Sequence, residues 1–287
     1  MKGQSHTSQR EFGRSFLMRF LAFRVRQPPV PLVDARRRTV VSWSAKSACT
    51  HVLIWYLQRM GLLEAAQSHH AWLHRYRIQV LYPSLADRLS RTMLSMQGAR
   101  SWTYVKVVRD PVARCVSSYR HALRYGYADA QMSSVLERAI DHRQGFSYET
   151  FLEYLSAIDL ARCNIHHRLQ AHPMDDPGYG RIFFINADET DLDDALTKVD
   201  QYQQVAPGNT AGSRTDAIAK AARRHARDVG RTDVEGDPWK VALNYRDTAK
   251  WPGAQLRKAE PAATRVYELY AGDYEMIRRL SARAEVL

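Results

Sequence analysis

The segment Thr39–Met60 constrains the fold more than any other, because a β-branched run leads through a short loop of small residues directly into a helical pattern. Its first part, Thr39–Trp43, predicts a strand, Ser44–Cys49 predicts a loop, and the spacing of apolar residues from Thr50 predicts a helix. The N–H groups at the start of such a helix lack acceptors and carry partial positive charge. The segment therefore predicts an anion-binding turn suited to phosphate, to which Lys46 adds a full positive charge.

This turn differs from the common nucleoside-triphosphate loop. That loop, GxxxxGK[ST], needs two glycines at fixed positions and a Ser or Thr directly after the lysine to hold magnesium. Ser47 follows Lys46 here, but the two glycines are missing. A P-loop-type kinase therefore remains an alternative, and it would need magnesium ligands in addition.

A second segment, Ser101–Arg124, repeats the arrangement of strand, turn and helix. The apolar run Tyr104–Val108 predicts a buried strand, and Pro111 fits the first turn of a following helix. Arg109 then lies at the carboxyl edge of the strand, where open parallel sheets bind ligands. An arginine fork with the nearby hydroxyl of Ser117 suits a second phosphate.

Together these segments resemble the sulfotransferase superfamily, whose members use 3′-phosphoadenosine-5′-phosphosulfate (PAPS), and its carbohydrate (family 2-like) branch in particular. The family's first motif, roughly PKxGxT, is matched at Lys46 and Thr50, whereas Ala45 and Ala48 replace Pro and Gly. Its second motif, RDPxxRxxSxY, is matched throughout, by Arg109, Asp110, Pro111, Arg114, Ser117 and Tyr119. The segment Val266–Ile277 resembles the closing helix of the carbohydrate branch.

The resemblance implies two separate phosphate sites for PAPS as the donor co-substrate, with no metal required. Lys46 and Thr50, with the backbone amides of Ser47, Ala48 and Cys49, would hold the 5′-phosphosulfate. Arg109 and Ser117 would hold the 3′-phosphate. Lys46 would also be catalytic, because negative charge grows on the leaving phosphate oxygen as the sulfuryl group departs.

The acceptor hydroxyl must lose a proton, which requires a base. In the superfamily the base commonly comes from the region between the two motifs. We favour His74, because it immediately precedes the strand-like run Arg75–Leu81 and is expected at the rim of a cleft, where neighbouring arginines lower its pKa. Glu64, His70 and His69 are the alternatives, in that order.

The other histidines lack the spacing of metal ligands, and neither HExxH nor paired CxxC occurs. They are therefore interpreted as surface or core residues. They are His51, His121, His142, His166 and His167. Three cysteines leave an odd count, which argues against a disulfide scaffold.

Strand and helix patterns alternate along the chain, which predicts an α/β fold with a P-loop-like, doubly wound, mainly parallel sheet flanked by helices. After Tyr125 the patterns predict, in order, helices Ala130–His142 and Ser147–Leu160, strand Arg181–Asn186, helix Leu192–Tyr202 and a final helix Ala262–Ala284. We divide the chain into a basic N-terminal arm, 1–38, and a sulfotransferase domain, 39–287. Residues 205–237 are expected to form a lid or acceptor loop.

The net charge of +12 is concentrated in the arm, which holds nine Lys or Arg against two acids. Its segment Arg14–Arg26 mixes basic and apolar residues as a membrane-surface helix does, and its apolar run is too short to span a bilayer. We expect a cytoplasmic protein, peripheral to the inner face of the membrane through this arm. The expected partner is a glycan, glycolipid or small-molecule acceptor rather than a specific nucleic acid. A non-enzymatic basic protein that binds nucleic acid or anionic lipid is the third alternative.

Overall fold

The chain forms a four-stranded sheet in the computed structural model, which describes residues 21–205, 237–244 and 252–285. The strands are β1 (Leu32–Asp34), β2 (Thr39–Ser42), β3 (Thr103–Val108) and β4 (Arg181–Asn186), in that spatial order. The edge strand β1 is antiparallel to β2, whereas β2, β3 and β4 run parallel. The carboxyl ends of the three parallel strands therefore meet at one edge of the sheet.

Helices follow the strands. Before β3 lie α1 (Cys49–Arg59), α2 (Leu63–His69), α3 (Leu73–Tyr76), which continues into a π-helical turn (Arg77–Leu81), and α4 (Leu85–Gln97). Between β3 and β4 lie α5 (Pro111–Tyr125), α6 (Asp129–Val135) and α7 (Tyr148–Ser156). After β4 lie α8 (Leu192–Tyr202), α9 (Gly253–Lys258), α10 (Glu260–Leu269) and α11 (Ala271–Ser281).

Alternate strand residues enter different cores, because successive side chains of a strand point to opposite faces. Val41 and Val105 pack with α1, α2, α3 and α8 on one face. Val40 and Tyr104 pack with α4 and α11 on the other. A third core joins α5, α6, α7, α9 and α10 with buried residues outside the helices, among them Phe146 and Leu243. Helices thus cover both faces of a mostly parallel sheet, and the predicted fold class is confirmed.

Several elements match their predicted bounds and four differ, one of them the predicted helix Ser147–Leu160, which ends at Ser156. Strand β4 and helix α8 have the predicted residues. The predicted helix Ala130–His142 is wrong beyond Val135, because the backbone of Glu137 is left-handed (φ 52°) and ends the helical path. The predicted final helix Ala262–Ala284 is two helices that meet at Tyr270.

The strand-like run within Ala71–Leu81 was also a wrong prediction, because this stretch is helical from Leu73 onwards. A helical backbone places residues three apart on one face. His74 and Arg77 are therefore both buried, whereas Arg75 between them is exposed.

The last part of the predicted arm belongs to the sheet, since β1 lies within residues 1–38 and pairs with β2. Leu21 and Val25 are also buried, in the core that α4 covers. Residues 1–20 of the arm, and the predicted lid 205–237 except its two ends, lie outside the described residues. Among the helices that the structure describes, none has the length and apolarity that crossing a membrane requires.

Candidate functional site

The two predicted anion-binding turns lie side by side at the carboxyl edge of the sheet. Strands β2 and β3 are parallel neighbours, with Ser42 opposite Lys106. The loop after β2 leads into α1, and the loop after β3 leads into α5. Helix α5 begins as predicted, with Pro111 in its first turn and the Asp110 carboxylate accepting a hydrogen bond from the amide of Ala113 at 2.8 Å.

Gln170 joins these two loops, and the sequence contains no motif that marks it. Its side-chain Oε1 accepts hydrogen bonds from Ser44 Oγ (3.1 Å) and Ser47 Oγ (2.7 Å), and from the backbone N–H of Arg109 (3.0 Å). Its Nε2 donates to the carbonyl of Arg109 at 2.8 Å. The hydroxyl of Ser47 is therefore used inside the protein, and its backbone N–H donates to the carbonyl of Ser44 at 3.3 Å.

A buried ion pair between Lys106 and Asp175 fixes the backbone of Gln170. Lys106 Nζ lies 3.0 Å from Asp175 Oδ1 and donates a hydrogen bond to the carbonyl of Gln170 at 2.7 Å. Both side chains are fully buried. The backbone on which Gln170 stands is therefore fixed to the central strand.

Two residues of the first loop have left-handed backbones, Lys46 at φ 69° and Ala48 at φ 54°. Ala48 is the residue before α1, and it has no side-chain group that could cap the helix. The amide of His51 donates to the carbonyl of Ala48 at 2.9 Å, whereas the amides of Cys49 and Thr50 have neither an intrahelical acceptor nor a capping side chain and are suited to an anion. That Ser47, Ala48 and Cys49 contact the donor through their backbone amides stays a prediction.

Lys46 is half-buried in a positively charged environment. Its pKa is lowered to about 8, chiefly by burial and then by Arg120, Arg109 and Arg124, whereas Cys49 raises it. No carboxylate is among the groups that shift the pKa of Lys46 most. A bound anion would supply the missing negative charge, so these residues fit a phosphate or phosphosulfate group.

The predicted second phosphate site is partly used by the protein itself. Arg109 Nε donates to Asp188 at 2.9 and 3.2 Å, and the same carboxylate accepts a hydrogen bond from the amide of Asp110 at 3.0 Å. The side chain of Arg109 remains about a quarter exposed, and Ser117 is half-buried on α5. Asp188 therefore orients the guanidinium at the edge of the sheet.

Arg114 of the second motif has a structural position. It is buried, and its Nε donates to the carbonyl of Ala45 at 3.0 Å while Nη2 donates to the carbonyl of Arg168 at 2.6 Å. A residue of the second motif thereby fixes the backbone of the first.

His74 lies in the first site rather than at a rim. Its Nε2 is 3.1 Å from Thr50 Oγ1 and 3.8 Å from Cys49 Sγ, and its Nδ1 is buried without a hydrogen-bond partner. Burial, and secondarily Arg77, lowers its pKa to about 3. The expected direction of the pKa shift is confirmed, but the expected rim position is wrong because α3 turns this side chain inwards.

The alternative bases lie on the surface of α2 or just beyond it. Glu64 and His69 are exposed, and His69 Nε2 lies 3.3 Å from Gln79 Oε1. His70 Nδ1 accepts a hydrogen bond from the amide of Trp72 at 2.9 Å. Among the described residues, no hydrogen bond joins these three side chains to the first loop.

Two histidines that sequence analysis assigned to core or surface lie near Lys46. The rings of His121 and His166 are 4.3 Å apart between centroids, and burial, followed by the charge of Lys46, lowers the pKa of both. The charge of His166 also lowers the pKa of His74. His121 stands one helical turn after Ser117 on α5, so helical spacing could have identified it.

One group of described residues has ligand atoms close enough to hold a metal ion, namely Asp129, Asp141 and His142. Asp129 Oδ2 lies 2.6 Å from His142 Nδ1, which is a hydrogen-bond distance. This pair joins α6 to the loop after it, and it is not part of either phosphate-binding turn.

Comparison with known proteins gave one family match. The model of the Sulfotransferase family matches residues 45–276, which include both loops and most of the closing helices. No curated protein and no solved structure matched the chain.

Proposed function

Because the chain belongs to the sulfotransferase family, we propose that it transfers a sulfuryl group from PAPS to an acceptor hydroxyl, giving 3′-phosphoadenosine-5′-phosphate (PAP) and a sulfate ester. The observation that carries this proposal is the environment of Lys46. A half-buried ammonium group stands beside the first turn of α1, and the charged groups that lower its pKa most are arginines rather than carboxylates.

A donor with phosphate at both ends of a ribose needs two separated anion sites. Lys46 with the amides of the first turn of α1 supplies one, and Arg109 with Ser117 supplies the other. Gln170 hydrogen-bonds to both loops and so sets their spacing. One loop alone would not distinguish this donor from ATP.

In the proposed reaction, the bond between sulfur and the bridging phosphate oxygen breaks while the acceptor oxygen bonds to sulfur. The acceptor proton passes to a base, and PAP leaves with the bond's electron pair. Lys46 stabilises the charge that grows on the leaving oxygen, which lowers the barrier because this charge is larger in the transition state than in the bound donor.

We assign the base to His74, with Glu64 and His70 as alternatives. His74 is neutral near pH 7, so it can accept a proton, and its contact with Thr50, a residue of the first motif, supports this assignment. A bound polyanion would favour the protonated imidazole and so raise the pKa of His74 towards the working pH.

A glycan, glycolipid or small molecule is proposed as the acceptor, on the resemblance of the closing segment to the carbohydrate branch. The kinase alternative is weakened by Ser47. A P-loop kinase needs the hydroxyl after the lysine for magnesium, whereas Ser47 Oγ is hydrogen-bonded to Ser44 and Gln170.

Calorimetric titration of the full chain with PAP and, separately, with ATP tests the donor. We expect micromolar PAP binding without magnesium, much weaker ATP binding, and loss of PAP binding in Lys46→Ala and Arg109→Ala. Labelled PAPS then reports transfer to a panel of glycan and lipid acceptors. Folded protein that does not bind PAP would overturn the proposal. Salt-sensitive binding of nucleic acid without PAP binding would favour the third alternative.

A further inference from the structure

Helix α4 carries an unusual apolar stripe on its solvent side. Four large side chains on this helix are between 40% and 64% exposed. They are Leu85, Leu89, Met93 and Met96, spaced four, four and three residues apart. Helical geometry places such residues in one row. Isolated exposed apolar residues are ordinary, but a contiguous row of them marks an interaction site.

The opposite side of α4 is held firmly to the protein. Leu94 is fully buried, and the buried Arg91 pairs with Asp87 and donates hydrogen bonds to the carbonyls of Val25 and Pro31, both at 2.9 Å. The helix therefore cannot rotate to bury its stripe, which remains directed outwards.

The stripe continues onto the segment before β1. A cavity of about 230 Å³ lies between α4 and this segment, lined on one side by Thr92 and Met96 and on the other by Ala22 and Arg26. Phe23, in the same segment, is 64% exposed. We name the five residues Leu85, Leu89, Met93, Met96 and Phe23 the α4 surface.

The charges around the α4 surface are basic. Arg88 and Arg26 are both exposed, and the one acid within α4, Asp87, is buried against Arg91. An apolar row flanked by arginines complements the surface of a bilayer, where anionic headgroups cover an apolar interior. Two copies of this chain would bring like charges together here, and so would the basic residues before Leu21 if they folded back over the stripe.

We propose that the α4 surface docks on an anionic phospholipid bilayer, with its apolar side chains entering the headgroup region and Arg88 and Arg26 contacting lipid phosphates. The proposal is independent of the sulfuryl-transfer reaction. It concerns peripheral contact only, through folded residues of the α/β domain.

Co-sedimentation of the full chain with vesicles tests this surface. The vesicles are phosphatidylcholine alone, or phosphatidylcholine with 30 mol% phosphatidylserine, at low and high salt. We expect binding to the mixed vesicles that weakens at high salt, and a loss of at least tenfold in partitioning for the double variant Leu89→Glu, Met93→Glu.

The matched control is Gln67→Glu, Ser68→Glu, which makes the same change in net charge at exposed positions of α2. It should bind almost as the unmodified protein does. Unchanged circular dichroism and thermal unfolding of both variants confirm that each is folded, as exposed positions permit.

Three results would overturn the proposal. One is the absence of binding to mixed vesicles by the unmodified protein. Another is an equal loss in both double variants, which would assign the effect to net charge alone. The third is a lower sedimentation mass for the α4 variant without a change in vesicle binding, which would assign the surface to contact between copies.

Discussion

The side-chain amide of Gln170 makes two hydrogen bonds with the backbone of Arg109, accepting from its N–H at 3.0 Å and donating to its carbonyl at 2.8 Å. The same Oε1 accepts from Ser47 in the other loop. One buried amide therefore holds both predicted phosphate sites in register.

Replacing Gln170 by Leu should damage both stability and donor binding. The change leaves the hydroxyl of Ser47 and the amide of Arg109 without an acceptor, which costs about 2–4 kcal/mol in the free energy of unfolding. Urea unfolding and PAP calorimetry measure the two effects. Gln97→Leu, at an exposed position, is the control. Unaltered PAP affinity in a folded Gln170→Leu variant would contradict this role.

The variant Ala48→Gly should be tolerated or stabilising. The left-handed backbone at Ala48 (φ 54°) costs an alanine about 1–2 kcal/mol, whereas glycine adopts it freely at the expense of greater chain entropy in the unfolded state. We expect a net gain of about 1 kcal/mol or less, measured by urea unfolding. Ala45→Gly, at a position without a left-handed backbone, should instead destabilise the protein. Equal losses in both variants would show that strain at Ala48 is negligible.

The affinity for PAP should fall as pH rises above 8. Burial lowers the pKa of Lys46 to about 8, so this residue is mostly charged at pH 7 and mostly neutral at pH 9. An anion binds the charged form, and the affinity should therefore drop by on the order of tenfold between pH 7 and 9. Calorimetry across this range measures it. Lys46→Met should bind PAP weakly at every pH. If this variant kept the full pH dependence of PAP affinity, a group other than Lys46 would be responsible for it.

Acid should destabilise the fold through its buried histidines. Burial lowers the pKa of His74, His167 and His172 to about 3, 3 and 4. Below pH 6.5 these histidines bind protons in the unfolded chain but stay neutral in the folded protein. The free energy of unfolding therefore declines from pH 6.5 down to about 4. At pH 5.5 each of the three contributes a loss of about 1 kcal/mol. Urea unfolding at pH 7.5 and 5.5 measures the loss, and His74→Asn should reduce the pH dependence, whereas His69→Asn, at an exposed position, should not.

If His74 is the base, His74→Ala should lower kcat at least a hundredfold while PAP affinity stays within a few-fold of the unmodified protein. Steady-state transfer from labelled PAPS and PAP calorimetry separate these quantities. The matched variant His70→Ala should leave both nearly unchanged. A loss of PAP binding in His74→Ala, without a separate loss in single-turnover rate, would instead make His74 a residue that positions Thr50.

The sequence was informative where local pattern and tertiary structure agree. Buried parallel strands have continuous apolar runs, so β3 and β4 were predicted closely, as was the position of Pro111 in α5. The stretch Ala71–Leu81 was misjudged because its short alternating run resembles a strand, and only packing of Leu73 and Tyr76 against α1 favours the helix.

The candidate site was predictable only in part. Lys46 and Arg109 stand in motifs, and their positions follow from the geometry of a strand–turn–helix unit. Gln170 stands in a segment without regular structure, and no periodicity marks a loop residue that is distant in sequence from both of its partners. The burial of His74 could likewise not be predicted from the sequence, because it depends on which face α3 turns to the core.

The bridge made by Gln170 has a consequence for recognising active members of such a family. A chain could keep every residue of both motifs and still lose the spacing of its two anion sites through a single change in a segment that no motif covers. In the first motif, by contrast, Ala48 itself adopts the left-handed backbone (φ 54°) that glycine adopts without strain. In this chain, a change at Gln170 would therefore disturb both loops while leaving both motifs complete.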